Sequence, residues 1–239
     1  MTLSEFFQYL SFGELSQFSA GTANNGEIAI DDYPKVISYI NLALTHLHTR
    51  LPLKLSQVIV RTNTRTAQYP ISSAYAESVL GIDGQAPSGA KPHVIDTVNP
   101  FKDNIISIEG VVSESDYVYT LNDRSYERTV YTPSYNTLQF SEPLDELVSV
   151  MYRANHIKIP MSKKVDPLVV DLSIPDIIIE PILTYVLSKM VSNMGNAESF
   201  QEGAAYMSKV EQQIQMIEAS GVIQSDIATN TRVWGDRWV

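Results

Sequence analysis

Four histidines, two acidic pairs and one glycine-rich stretch are where this sequence could hold chemistry. His46 and His48 stand two apart in a helical pattern, so they point to different faces. They cannot make the i, i+4 pair that a metal site on a helix uses. His93 and His156 are isolated in sequence, and the chain has no cysteine, which excludes disulfides, thiolate metal sites and cysteine nucleophiles. No metal and no cofactor is expected. The pairs Asp31-Asp32 and Asp145-Glu146 are of the kind that supplies acid and base to glycoside hydrolysis. The first, however, opens a predicted helix, where negative charge offsets the helix dipole. The second follows Pro143 in a turn. A Gly-x-Ser-x-Gly nucleophile elbow is missing. The stretch from Gly84 through Gly89 to Lys91 looks like a phosphate loop but fails in detail: the lysine does not directly follow the second glycine, and Pro92 replaces the required Ser or Thr. No catalytic residue is assigned.

Two further clusters suit binding better than catalysis. Arg153, His156, Lys158, Lys163 and Lys164 gather positive charge, which reads first as a strand edge guarded by lysines. The end of the chain holds both tryptophans, Trp234 and Trp238, beside Arg232 and Arg237. Trp and Arg are the residue types most enriched where interfaces concentrate their energy, so these four are the candidate partner-binding residues.

The elements that must position these residues follow from periodicity. Leu3, Phe6, Phe7 and Leu10 recur at helical spacing behind a Thr2/Glu5 capping box. Asp32 is the expected N-cap of a second helix, in which Tyr33, Ile37, Ile40, Leu44, Leu47 and Leu51 form one stripe. The middle of the chain is rich in Tyr, Thr, Val and Ile in short runs. Strands are predicted at 57–62, 105–112, 117–121, 127–132, 137–140, 147–152 and 156–159, with a hairpin turn at Asn122-Asp123. A short helix is expected over 73–80. Two more helices follow, one carrying Ile178, Ile182, Tyr185, Met190 and Met194, the other Phe200, Gly203, Met207, Val210, Ile214 and Ile217. Gly195-Asn196 separates them and Gly221 closes the second.

Composition bounds the class. The 239 residues are 44% hydrophobic, enough for a core, and carry 27 acidic against 17 basic side chains, a net charge of −10. That balance argues against specific nucleic-acid binding, which needs Lys and Arg to neutralise phosphates. No basic leader or long apolar run marks a secretory signal or membrane anchor, and the most apolar stretch is broken by Glu180 and Pro181.

The run from Ile174 to Met190, then Gly195, Asn196 and Glu198, then Ala204 to Tyr206, resembles the head-to-tail adaptor (connector) proteins of tailed bacteriophages. The Pro34–Arg50 helix followed by a β region fits the same pattern. The resemblance covers about 80 residues at the two ends of the chain. It implies a subunit of a homo-oligomeric ring, twelvefold by analogy, that sits beneath the portal protein, lets DNA pass, and offers a platform to other neck or tail proteins. The expected fold is therefore α+β: an antiparallel helical bundle from residues 1–52 and 171–221, a β-rich insertion at 53–170, and an extended docking tail at 222–239. The expected location is the virion head-tail junction after synthesis in the host cytoplasm. The competing readings are another tail or baseplate component, a carbohydrate-binding module, or a polysaccharide hydrolase using Asp116, Asp123 and Glu127.

Overall fold

The computed structural model describes residues 1–13, 28–79, 91–126, 128–195 and 197–223. In chain order the regular elements are α1 (Leu3–Phe12), α2 (Tyr33–Arg50), β1 (Leu55–Arg61), β2 (Gln68–Pro70), β3 (Val94–Ile95), β4 (Ile105–Ser113), β5 (Val118–Leu121), β6 (Thr129–Ser134), β7 (Thr137–Phe140), β8 (Leu147–Ala154), α3 (Ile179–Ser192) and α4 (Ala197–Ser220). The chain divides into two compact units, one holding Met1–Leu51 with Ile157–Gln224 and the other Pro52–His156.

The sheet corrects the expected architecture. All eight strands join one mixed sheet in the order β2-β7-β6-β5-β4-β8-β1-β3. Among the described residues this eight-stranded sheet stands with four α-helices, and the fold is not an antiparallel helical bundle bearing a β insertion. The physical reason is that the sheet builds a core from its own unit. Val58, Val60, Val111, Val130, Leu138, Val148 and Val150 are buried together with Tyr69, Tyr119, Phe140 and Tyr152, and no helix residue belongs to that cluster. β8 lies between β4 and β1, and Val148, Val150, Tyr152 and Ala154 at alternate positions are all buried, as the two-residue period of a strand requires.

Aromatic rings run in a row through this core. Tyr75 stacks on His93 at 4.8 Å, His93 meets Tyr69 at 5.4 Å, Tyr69 meets Phe140 at 6.0 Å, Phe140 meets Tyr119 at 5.7 Å, and Tyr119 meets Tyr117 at 5.1 Å. The Tyr69 hydroxyl donates to the Thr66 carbonyl at 2.7 Å and accepts the Asn63 N–H at 2.7 Å, so its buried polar end is satisfied. Tyr69, Tyr119 and Tyr152 are thus interior packing, whereas Tyr126 and Tyr135 are exposed.

Several local expectations change. The seven residues between β5 and β6 make no hairpin, because the two strands pair in parallel through Thr120↔Thr129 and Leu121↔Val130. The pairing overlaps by only two residues, so the chain returns without the long crossover that parallel strands usually need. Asn122 takes a left-handed φ of 56° at this reversal. In place of the helix expected over 73–80, the described residues 73–79 hold two 3₁₀ turns, Ser73–Tyr75 and Glu77–Val79. β2 and β3, at three and two residues, carry too little pattern to be predicted.

In the helical unit the Thr2/Glu5 capping box forms as expected, with Glu5 N–H donating to the Thr2 hydroxyl and Thr2 N–H donating to the Glu5 carboxylate at 2.8 Å. The α2 stripe is buried at Ile37, Ile40, Leu44 and Leu47. Asp32 does not cap α2 with its side chain; a preceding 3₁₀ turn, Ile30–Asp32, leads directly into the helix. Residues 156–159 form no strand. Asn41 instead donates to the Ile159 carbonyl and accepts the Ile159 N–H, both at 2.9 Å, and so supplies both bonds that a neighbouring strand would have given. On α3, Ile178, Ile182 and Tyr185 are buried as expected, but Val186, Leu187 and Val191 complete the face, and Met194 is about half exposed.

One carboxylate pins the loop after β3. The buried Asp96 accepts Ser78 N–H at 2.8 Å, the Ser78 hydroxyl at 2.5 Å and Phe101 N–H at 2.7 Å. Burial pushes its carboxyl up, but these donors outweigh burial and hold it below the ordinary value of 3.8. A carboxyl lowered on folding contributes stability that is complete above the unfolded value and is lost as pH falls through the folded one. Asp96→Asn should therefore cost about 1–3 kcal/mol at neutral pH and flatten the loss of stability below about pH 4, read from urea unfolding across that range.

Candidate interaction surface

The predicted docking residues Arg232, Trp234, Arg237 and Trp238 lie outside the described residues, as do most of the 84–91 loop and Glu127. The remaining candidates are dispersed into structural roles. His46 Nε2 meets Glu211 Oε1 at 3.1 Å, and its ring lies 5.6 Å from that of Tyr185. His48 is buried. His93 Nε2 is 2.8 Å from the Pro70 carbonyl, and burial lowers its pKa against the pull of backbone bonds to Pro70 and Lys91. His156 turns back on the Asn155 side chain at 2.9 Å. Asp31 pairs with Lys163 at 2.6 Å, and Glu146 accepts the Tyr119 hydroxyl. Burial and the Glu146 carboxylate both push that phenol well above its usual range. Asp116 and Asp123 serve turns, the first with a left-handed φ of 62° and the second accepting Ser125 N–H at 2.9 Å.

The basic cluster does not gather on one surface element. Arg153 faces Glu109 at 3.5 Å and belongs with His156 to the sheet unit, whereas Lys158, Lys163 and Lys164 belong to the helical unit. Among the described residues, no group of three or more His, Asp or Glu side chains is arranged to hold a metal ion, and no helix is long and apolar enough to cross a membrane.

What the helices do build is a groove. α3 and α4 run back to back after the turn at Gly195, where φ is +85°. Glu180 in the first turn of α3 receives Gln213 Nε2 at 2.7 Å and lies 3.7 Å from Lys209, fixing one end of the pair. Toward the other end the backbones come close: the Ser188 hydroxyl donates to the Gly203 carbonyl at 2.8 Å. A Cβ on Gly203 would stand 2.0 Å from Ser192 Oγ and 2.9 Å from the Ser188 carbonyl oxygen. Only glycine allows this approach. α2 closes on the same pair through polar groups, with Arg50 reaching Glu211 at 3.1 Å and Glu218 at 3.4 Å.

Beside the close contact, a groove of about 450 Å³ opens between the two helices. Phe200, Ala204 and Met207 line it from α4, and Ser188, Lys189 and Ser192 from α3. Lys189 leans over the Tyr185 ring at 5.2 Å. Phe200, expected on the buried stripe, is 65% exposed. Phe200 stands on the flank of α4 that also carries Ala204 and Met207, beside the face on which Ser199, Gly203, Val210 and Ile214 are buried. Phe200 is the residue that sequence reasoning misplaced, and Ser188, Ser192 and Gly203 are those it missed. The signal available for them was a set of small residues at helical spacing.

No protein-family model matches the chain, and no curated protein matches its sequence.

Two substitutions separate fold from surface. Gly203→Ala should destabilise the protein by about 1–3 kcal/mol, because the backbone of α3 must shift. Phe200→Ser should stay within about 0.5 kcal/mol of the parent, since little of that ring is buried. Chemical denaturation of both variants reads the difference.

Proposed function

We propose that this chain is a structural subunit of the head-to-tail connector ring of a tailed bacteriophage, an assembly component rather than an enzyme. Copies of the chain form a ring, twelvefold by analogy, that attaches to the portal protein, leaves a passage for DNA and presents a platform to neck and tail proteins. Its place is the head-tail junction of the virion. Support comes from the helical hairpin: the segment that carries the resemblance to connector proteins is the segment whose apolar groove is left open to solvent. Large apolar side chains held outward are the usual mark of a protein-protein contact. Phe12 on α1 and Met216 on α4 are exposed in the same way, at 71% and 64%. In a closed ring, every copy offers such a face to a different face of its neighbour.

The neighbour's helix surface is the occupant of the groove in this reading, with Phe200 at its centre. The net charge of −10 suits a ring through which DNA must slide without sticking. The test is the mass of the purified full chain, alone and mixed with a portal ring, by native mass spectrometry. A multimer of the chain, or a stoichiometric portal complex, is the expected result, and Phe200→Asp should abolish it while the monomer stays folded. A strict monomer that ignores the portal but binds tail-tube subunits would transfer the protein to the tail.

A further inference from the structure

α3 borders exposed apolar surface at both of its ends, and the two surfaces differ. Beside its C-terminal half lies the groove that Phe200, Ala204 and Met207 share with Ser188, Lys189 and Ser192. Beside its N-terminal end a second cleft, of about 750 Å³, opens between α1 and the segment that leads into α3. Tyr9 and Phe12 of α1 line it together with Ile179, Glu5 and Asp176. The spacing of α1 explains why. Leu3, Phe6, Phe7 and Leu10 spend one face of the helix on the interior, and Glu5, Gln8, Tyr9 and Phe12 fall on another. Tyr9 is 57% exposed, so α1 carries more apolar surface than its own unit buries.

The charges at the two ends are opposite. In the groove, Glu211 is already engaged by His46 and Arg50. That leaves Lys189, whose ammonium lies over the Tyr185 ring and makes no ion pair among the described residues. In the cleft, the Met1 amine is neutralised by Asp171 at 3.3 Å. Glu5 accepts the Thr2 N–H, and neither Glu5 nor Asp176 has an ion pair among the described residues. One surface is thus apolar with a spare cation, the other apolar with spare carboxylates. Ile179 and Ser192 stand at opposite ends of the 14-residue α3, about 20 Å apart. A helix holds its ends apart, so the two surfaces cannot close on each other within one chain. Between copies they meet head to tail, which is the heterologous contact of a closed ring. We propose that the cleft beside α1 of one copy receives the α3–α4 face of the next, with Phe200 and Met207 packed on Tyr9 and Phe12, and Lys189 set against Asp176. This contact rests on the ring reading, for which it supplies the repeating interface.

Charge exchange in the full-length protein tests it. Lys189→Glu and Asp176→Lys should each raise the dissociation constant between copies at least about tenfold, through like-charge repulsion at the contact. Both reversals in one chain should bring it back to within about threefold of the parent, because the pair is then re-formed with its signs exchanged. Native mass spectrometry and sedimentation read the assembly of the chain alone, or on a portal ring where copies assemble only there. An assembly indifferent to the single reversals, or not rescued by the double one, overturns this contact and leaves the ring reading standing. A strict monomer in both settings overturns the two together. The absence of cysteine supplies a second measurement. A Gln8→Cys copy mixed with an isotope-labelled Ala204→Cys copy should form disulfides between unlike copies on mild oxidation. Disulfides only between like copies, or none, reject the pairing.

Discussion

The reciprocal pair between the Asn41 amide and the backbone of Ile159 is the constraint on which the helical unit depends. A buried residue must satisfy both its N–H and its carbonyl, and at Ile159 no strand neighbour is present to do it. A single amide side chain donates and accepts in the geometry of a strand partner. Because Asn41 lies in the buried face of α2, the chain leaving β8 is held against that helix. The same returning segment then receives α1: Leu3 N–H donates to the Val170 carbonyl and Ser4 N–H to the Pro167 carbonyl. Two N–H groups that the first turn of a helix leaves unpaired are thus satisfied by it. Removing the amide would strand two buried backbone groups at once, which is costlier than losing a surface bond.

The second constraint is steric. Gly203 lets α4 approach α3 so closely that a hydroxyl on one helix bonds a carbonyl of the other. Helices drawn together at small residues cannot also enclose large ones a turn away, so Phe200 and Met207 flank the contact and leave a groove. Polar pairs, not apolar contact, then tie α2 to α4, through His46, Arg50, Glu211 and Glu218. The helical unit therefore combines a tight hairpin with a charged seam, and Phe200 is left exposed beside the hairpin's closest contact.

How much of this was legible in the sequence depended on whether a local pattern decided the outcome. α2 carried a six-residue stripe and α1 a capping box, and both formed where expected. Six of the seven predicted strands correspond to observed ones, because each found a neighbouring strand to pair with its alternating residues. The seventh, at 156–159, had the same local texture but found Asn41 instead of a neighbour, and no sequence window contains that partner. The parallel pairing of β5 and β6 was hidden for a related reason: Asn122-Asp123 announces a reversal but not which edge the chain rejoins. The same limit applied to the architecture. The strands were visible singly, yet their closure into one sheet around its own core was not, and the helices were given a dominance they do not have.

The site was less legible than the fold because its decisive feature is the side of α4 on which one aromatic residue stands. The α4 stripe from Phe200 to Ile217 reads as a continuous buried face, and periodicity alone does not fix which edge of that stripe the neighbouring helix leaves open. Gly203, Val210, Ile214 and Ile217 are buried, whereas Phe200 is 65% exposed. An apolar position that the intramolecular partner cannot reach adds nothing to the stability of the isolated chain, so a polar side chain there would serve the fold equally well. Phe200, 65% exposed, therefore leaves apolar surface that the described residues do not cover, and it is this surface that the proposed assembly would use.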